Sequence, residues 1–374
     1  MASVPALVPS SSFRDALRRR GGVTASRCYQ CATCSSVCDL APEGAPFPRR
    51  QMILAQWGLA DELAADPAVW LCHQCNDCTA RCPRDARPGD VLSAVRGLLI
   101  ERLSFPHALG TLVANARTTW PLLLFGPVAF WLVLLAALHL LAVPPTLTAY
   151  EEIVPHWLIY AVFFPVAAWV LLASWISGRR LWRLLGASAP RSGSFLAALV
   201  PALTEVGTHK RFASCGTARP RRTGHLTLLW GFVGAAVTSG LLVIGIYLMG
   251  MKMPLPLDHP FKILGNVSAV LLVVGGVLLA VNRLAASRPL GTSSAFDTFF
   301  LTVVLLVILT GVLAEAGRFL LPPAAAVGIY VAHLGFILSL FITFPYSKFA
   351  HLLYRTLAMV HERMSTSPGT VRPT

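Results

Sequence analysis

The sequence predicts a mainly α-helical protein in two parts: a small cysteine-bearing head, then a bundle of six transmembrane helices. Three observations predict it. Eight of the nine cysteines lie before residue 83, in two matching blocks. The chain is 55% hydrophobic and only 13% charged, where a soluble domain is about 25% charged, and its mean hydropathy is +0.64. After Trp120, apolar runs alternate with short basic loops.

Taken in order, residues 1–25 are expected to form a flexible tail with one short basic helix around Phe13–Arg20. Arg18–Arg20 are followed by Gly21 and Gly22 rather than an apolar core, so no cleavable leader is expected and the head is placed in the cytoplasm. Residues 26–105 form the head. A helix is expected from Pro48 to Gly58, with Pro at its start and Gly at its end, and a second over about Pro88–Leu103. The membrane domain covers 106–365, and 366–374 is a tail.

Six runs meet the requirement of about 20 apolar residues per span: 120–142, 156–177, 226–249, 263–283, 296–319 and 325–347. Arg179, Arg180, Arg283, Arg288, Lys348, Arg355 and Arg363 follow the second, fourth and sixth spans, while Glu151 and Glu152 follow the first. The positive-inside rule then puts both termini and the head in the cytoplasm of a bacterial inner-membrane protein. An interfacial amphipathic helix is expected near Leu181–Leu185, with turns around Gly186–Gly193 and Gly216–Arg222. The net charge of +14 comes from these loops and carries no aromatic-interleaved groove, so nucleic acid is excluded as a partner.

Cys28, Cys31, Cys34 and Cys38 give C-x2-C-x2-C-x3-C, and Cys72, Cys75, Cys78 and Cys82 repeat it, with Pro83 next. This run holds [4Fe–4S] clusters in two-cluster ferredoxins, where the fourth cysteine of each block serves the other cluster. A ferredoxin-like two-cluster head is therefore expected. Cys28, Cys31, Cys34 and Cys82 would hold one cluster, and Cys72, Cys75, Cys78 and Cys38 the second. Zinc modules use separated ligand pairs and often histidine, and a reducing compartment disfavours disulfides. Cys215 stands alone in an inner loop and reads as incidental.

Histidines in the apolar half are the next candidates, because ionisable groups inside spans are rare and functional. His333 and His351 are eighteen residues apart, which on one continuous helix is five turns and about 27 Å. That places them on one face at two depths, suited to axial ligation of one or two b-type haems. His225 opens the third span level with His351 and is expected to pair with it. The outer partner of His333 is expected among His139, His156 and His259, with His139 or His156 preferred; His209 is a further inner-side histidine. Asp297, Glu315 and Arg318 read as helix-end charges rather than a proton path.

The two cysteine blocks, the segment Pro48-Arg-Arg-Gln-Met52 between them and the lead-in Val69-Trp-Leu-Cys72 resemble the iron–sulfur C subunit of heterodisulfide reductase. The membrane half resembles the nitrate reductase gamma-type cytochrome b, as in the membrane (E) subunit of heterodisulfide reductase. Their fusion, over about residues 20–365, resembles the C subunit of quinone-interacting membrane-bound oxidoreductase complexes. That resemblance implies electron traffic between menaquinone or ubiquinone and flavin and Fe–S partner subunits, with adenylylsulfate reductase as the ultimate partner in sulfur metabolism. It matches His333 and His351 to the paired histidines of the last gamma-subunit helix and His225 to the inner histidine of the second; the outer histidine of that second helix falls on Ala235. A heterodisulfide reductase-like or sulfite-reductase-linked complex is the neighbouring reading, and a haem-free membrane anchor for the cluster head is the contrasting one.

Overall fold

The computed structural model describes residues 7–41, 46–214, 219–284 and 294–365. Cys215, Arg288 and the 366–374 tail lie outside the described residues. In chain order the helices of the head are α1 (Ser11–Leu17), α2 (Thr33–Ser36), α3 (Arg49–Trp57), α4 (Ala60–Ala65), α5 (Pro67–Leu71), α6 (Asp77–Ala80) and α7 (Pro88–Leu103). They are followed by α8 (His107–Ala114), α9 (Ala116–Ala137), α10 (His156–Ser188), α11 (Phe195–Thr208), α12 (Arg219–Met249), α13 (Pro260–Leu284), α14 (Ala295–Leu320), α15 (Pro323–Thr343) and α16 (Ala350–Met364).

The head is held by caps and a dense apolar core. Ser10 caps α1 by accepting the Phe13 N–H at 3.1 Å, and Asp66 caps α5 by accepting the Ala68 N–H at 2.9 Å. The helix expected between Pro48 and Gly58 forms as α3; it ends at Gly58, whose φ of +72° is the left-handed stop that glycine adopts freely. Within the N-terminal segment, where a short helix is expected around Phe13–Arg20, α1 docks on the head. Leu17 is buried in one core with α7 residues such as Leu98 and Leu99, and Arg20 pairs with Glu101 at 2.7 Å. An amphipathic turn with a buried leucine has somewhere to dock, which charge alone does not reveal.

Among the described residues, six stretches are long and apolar enough to cross a membrane: Ala116–Ala137, His156–Ala187, Arg221–Met249, Pro260–Leu284, Ala295–Leu320 and Pro323–Met364. The protein is a multi-pass membrane protein. Small residues set its closest contacts, as lipid-embedded helices require. A Cβ on Gly275 of α13 would fall 2.7 Å from the Leu228 nitrogen of α12, and one on Gly335 of α15 would fall 2.5 Å from Val128 of α9.

Three local expectations change. No separate interfacial helix forms at Leu181–Leu185, because α10 runs unbroken to Ser188. Nothing in Ser177-Gly-Arg-Arg-Leu181 stops it, and Leu181 and Leu185 enter the core of the head instead. The separate helix of this loop is α11, which at 14 residues is about 21 Å long. Of the turn expected over Gly216–Arg222, residues Arg219–Arg222 already belong to α12. The last span is not one continuous helix either: a 3-10 turn at Phe344–Tyr346 and an extended Ser347 separate α15 from α16. Pro345 lacks the N–H and crowds the preceding turn, so the five-turn argument for His333 and His351 does not hold.

The head and the membrane half share a core. Leu181, Leu185, Ala350, Tyr354 and Ala358 pack with Leu63, Trp70, Val95 and Leu99. Trp70 lies 4.9 Å from the Tyr354 ring. Arg180 of α10 donates to the carbonyls of Leu103 and Ser104 at 3.1 and 2.7 Å, satisfying the last carbonyls of α7.

Candidate cofactor sites

The two cysteine blocks share an unusual backbone. In the first, Gln30 and Ala32 have φ of +59° and +68°; in the second, Gln74 and Asn76 have φ of +53° and +67°. These are the second and fourth residues after the first cysteine in each case. Left-handed non-glycine residues are uncommon and mark a constrained site. In the second block the curl brings an N–H to sulfur, the Gln74 N–H reaching Cys72 Sγ at 3.4 Å; in the following turn, with Asp85 at φ +48°, the Ala86 N–H reaches Cys82 Sγ at 3.3 Å. The Gln30 side-chain amide lies 3.4 Å from Cys28 Sγ. The repeated glutamine in Cys28-Tyr-Gln-Cys31 and Cys72-His-Gln-Cys75 is the sequence signal of this curl.

Two cavities result. One, of about 340 Å³, is lined by Cys28, Cys31, Cys34 and Cys82. The other, of about 450 Å³, is lined by Cys38, Cys72, Cys75 and Cys78. Each therefore takes three cysteines of one block and the fourth of the other. Among the described residues no three His, Cys, Asp or Glu side chains converge on a single ion; the sulfurs surround a space instead. The eight cysteines are free thiols. Burial pushes the Cys38 thiol up to about 11 and raises Cys78 and Cys34 above the usual range, whereas the Thr33 hydroxyl beside exposed Cys31 lowers it. Thiols held neutral by burial become thiolate ligands only when a metal centre takes the place of the proton.

A second constellation lies beside α12 and α16. The His225 and His351 rings meet edge-on, with centroids 6.1 Å apart and planes at 74°. The His209 Nδ1–H donates to the Val206 carbonyl at 2.6 Å, which leaves its Nε2 to accept the His225 Nδ1–H at 2.8 Å. The His351 Nδ1–H donates to the Lys348 carbonyl. Both His225 and His351 thus carry their proton on Nδ1, and each presents a bare Nε2 lone pair. Holding the other ring nitrogen in a hydrogen bond is how proteins fix a metal-binding tautomer. Burial lowers the pKa of His209 and keeps it neutral. The sequence puts His209 on the inner side; its bond to His225, sixteen residues away, needed the fold.

The other histidines are elsewhere. His333 donates from Nδ1 to the Thr310 hydroxyl at 3.0 Å and packs on Gly311 of α14. Among the described residues no second imidazole is in ring contact with it. His139 is exposed, with φ of +56°, where α9 ends, and His156 pairs with Glu151 at 3.1 Å. Nδ1 of His259 accepts the Phe261 N–H at 3.2 Å. Asp297 caps α14 with Ser294 and pairs with Lys348 at 2.6 Å; Glu315 pairs with Lys262 at 2.6 Å.

Residues 24–86 match the 4Fe-4S dicluster domain family, and residues 104–369 match the citrate utilization protein B family. The chain belongs to the citrate utilization protein B family. It is 29% identical over 355 residues to citrate utilization protein B of Escherichia coli, covering 89% of this chain and 88% of that one. The head alone is 37% identical over 99 residues to an Archaeoglobus profundus protein similar to the C subunit of heterodisulfide reductase, 26% of this chain and 50% of that one. It is also 39% identical over 87 residues to the C subunit of the H(2):CoB-CoM heterodisulfide,ferredoxin reductase of Methanothermobacter thermautotrophicus, 22% of this chain and 45% of that one. The match thus spans about half the length of these two heterodisulfide reductase relatives. No solved structure matches.

The head is accordingly a dicluster domain whose eight cysteines take two [4Fe–4S] clusters, homologous to a subunit of oxidoreductase complexes. For the membrane half, the family found is citrate utilization protein B.

Proposed function

We propose that the protein is the membrane electron-transfer subunit of a quinone-linked oxidoreductase. Cys28, Cys31, Cys34 and Cys82 hold one [4Fe–4S] cluster, and Cys38, Cys72, Cys75 and Cys78 hold the other. His225 and His351 would hold a b-type haem through their Nε2 atoms. The observation that carries this reading is the approach of the two rings, 6.1 Å between centroids, with His209 and the Lys348 carbonyl taking the Nδ1 protons. The donor set fits a bis-histidine haem, which when bound supplies a one-electron carrier. The chain's residues hold the ring planes, fix both tautomers and exclude water. His333 sits apart with its own Nδ1 partner, which supports one inner haem more strongly than two.

Electrons are exchanged with a soluble flavin or Fe–S oxidoreductase on the head side and with menaquinone or ubiquinone in the bilayer. Adenylylsulfate reductase, implied by the resemblance to quinone-interacting complexes, is one member of that soluble class; the citrate in the name of the Escherichia coli relative favours a carboxylic-acid oxidoreductase. The basic ends of α10 and α16 support a cytoplasmic head at a bacterial inner membrane.

The test is a dithionite-reduced minus oxidised visible spectrum of the purified full chain in detergent. A sharp α band is expected, lost in His225→Ala and in His351→Ala, with cluster iron and acid-labile sulfide unchanged. A wild-type spectrum without the band would remove haem from this proposal.

A further inference from the structure

The two cysteine sets are chemically alike but sit in different surroundings. The loop Cys72-His-Gln-Cys75 is gripped by arginines of the membrane half. Arg355 of α16 donates to His73 Nε2 at 2.8 Å and to the Cys72 carbonyl at 3.5 Å. Arg221 of α12 donates to the Gln74 carbonyl at 2.9 Å and to the His73 carbonyl. A guanidinium has only N–H groups to offer, so the His73 Nε2 accepts from Arg355.

Rings continue from this loop toward the histidine pair. His73 lies 4.9 Å from Phe212, Phe212 6.2 Å from His209, and His209 4.9 Å from His225. Phe212 also packs on Leu40 and Cys75. The other loop, Cys28-Tyr-Gln-Cys31, looks the opposite way. Tyr29 is 68% exposed and Cys31 is exposed. Arg84 donates to the Tyr29 hydroxyl at 3.0 Å and stacks over its ring, and Gln56 donates to the Cys28 carbonyl at 2.9 Å. These bonds stay within the head.

We infer that Cys38, Cys72, Cys75 and Cys78 form the membrane-side site, positioned and tuned by Arg221 and Arg355 through His73. Cys28, Cys31, Cys34 and Cys82 form the outer site, presented to the soluble redox partner. The inference rests on the electron-transfer reading above, and adds to it an order for the two sites. Its physical content is electrostatic. A positive charge beside a cluster favours the reduced, more negative form, so it raises the reduction potential, and the effect falls off with distance. Arg221 and Arg355, which bond to the Cys72–Cys75 loop, therefore act most strongly on that site.

The experiment is a redox titration of the purified full chain followed by EPR of both reduced clusters. Cys75→Ser and Cys31→Ser assign the two signals, since each alters the ligand field of one cluster. Arg355→Gln should move the midpoint of the signal that Cys75→Ser alters to a more negative value and leave the other midpoint in place. Arg355→Lys, which keeps the charge, should restore most of the shift; Arg221→Gln is the parallel variant should Arg355→Gln not fold. A shift confined to the Cys31→Ser signal, or equal shifts in both, would overturn the assignment. A missing haem band sinks the haem proposal while leaving this titration decisive, because it reads the clusters directly.

Discussion

The head and the membrane half use leucine in opposite ways. In the head Leu63, Leu99 and Leu103 are buried, with Arg20–Glu101 and Arg102–Asp61 pairs outside them. In the membrane half large side chains cover the outside: Leu248 is 81% exposed and Leu320 is 79% exposed. There the core is made where α9, α14 and α15 meet, around Leu123, Val303, Val304 and Phe336. Water drives the first arrangement by excluding apolar surface. Lipid exerts no such drive, and close packing at small residues takes over. The lesson is at the junction, where Leu181, Leu185 and Tyr354 belong to membrane-half helices yet are buried as head residues. The two parts are one folded unit at that point.

The comparison can be broken in four ways, in decreasing order of effect. Cys75→Ala should remove roughly half the iron of the purified protein, and Cys31→Ala the other half, if each cavity holds a separate four-cysteine cluster. Loss of all iron from either single variant would show the sites to be interdependent. Leu181→Ala and Leu99→Ala should each destabilise the head by about 2–5 kcal/mol, while Leu248→Ala should stay within about 0.5 kcal/mol. Denaturant melts of detergent-solubilised protein, followed by the cluster absorbance, would check this. Equal effects from Leu181 and Leu248 would place the junction outside the head core.

His209→Ala should weaken haem retention about 10–100-fold without abolishing it, because it frees the His225 tautomer but leaves both Nε2 ligands. Titration of the apoprotein with haem would report it, and His209→Gln, which can still accept the Nδ1 proton, should recover most of the affinity. Glu101→Gln should cost about 1 kcal/mol by weakening its 2.7 Å bond to Arg20, and limited proteolysis should then cut earlier near Arg18–Arg20.

Much of the chemistry was legible because it is local. Four cysteines within eleven residues must surround something, and the spacing names a cluster before any fold is known. The helix α3 was legible from its Pro and Gly ends, and α7 was expected over Pro88–Leu103, where it forms. The continuity of α10, the break at Phe344–Tyr346 and the docking of Leu17 were not, since each depends on which distant surface a short segment meets. His333 shows the hazard of reading register across a proline: the phase it shared with His351 on paper ends at Pro345.

By itself the sequence determined the number of clusters, the class of their ligands and the apolar runs long enough to span a bilayer. These follow from spacing and hydropathy, which are properties of neighbours along the chain. Tertiary structure alone decided which cysteine set meets the membrane half, and which histidine orients His225. Arg355 is 282 residues from His73 and Glu101 is 81 from Arg20. Contacts at such separations form only when helices pack, so no local pattern encodes them.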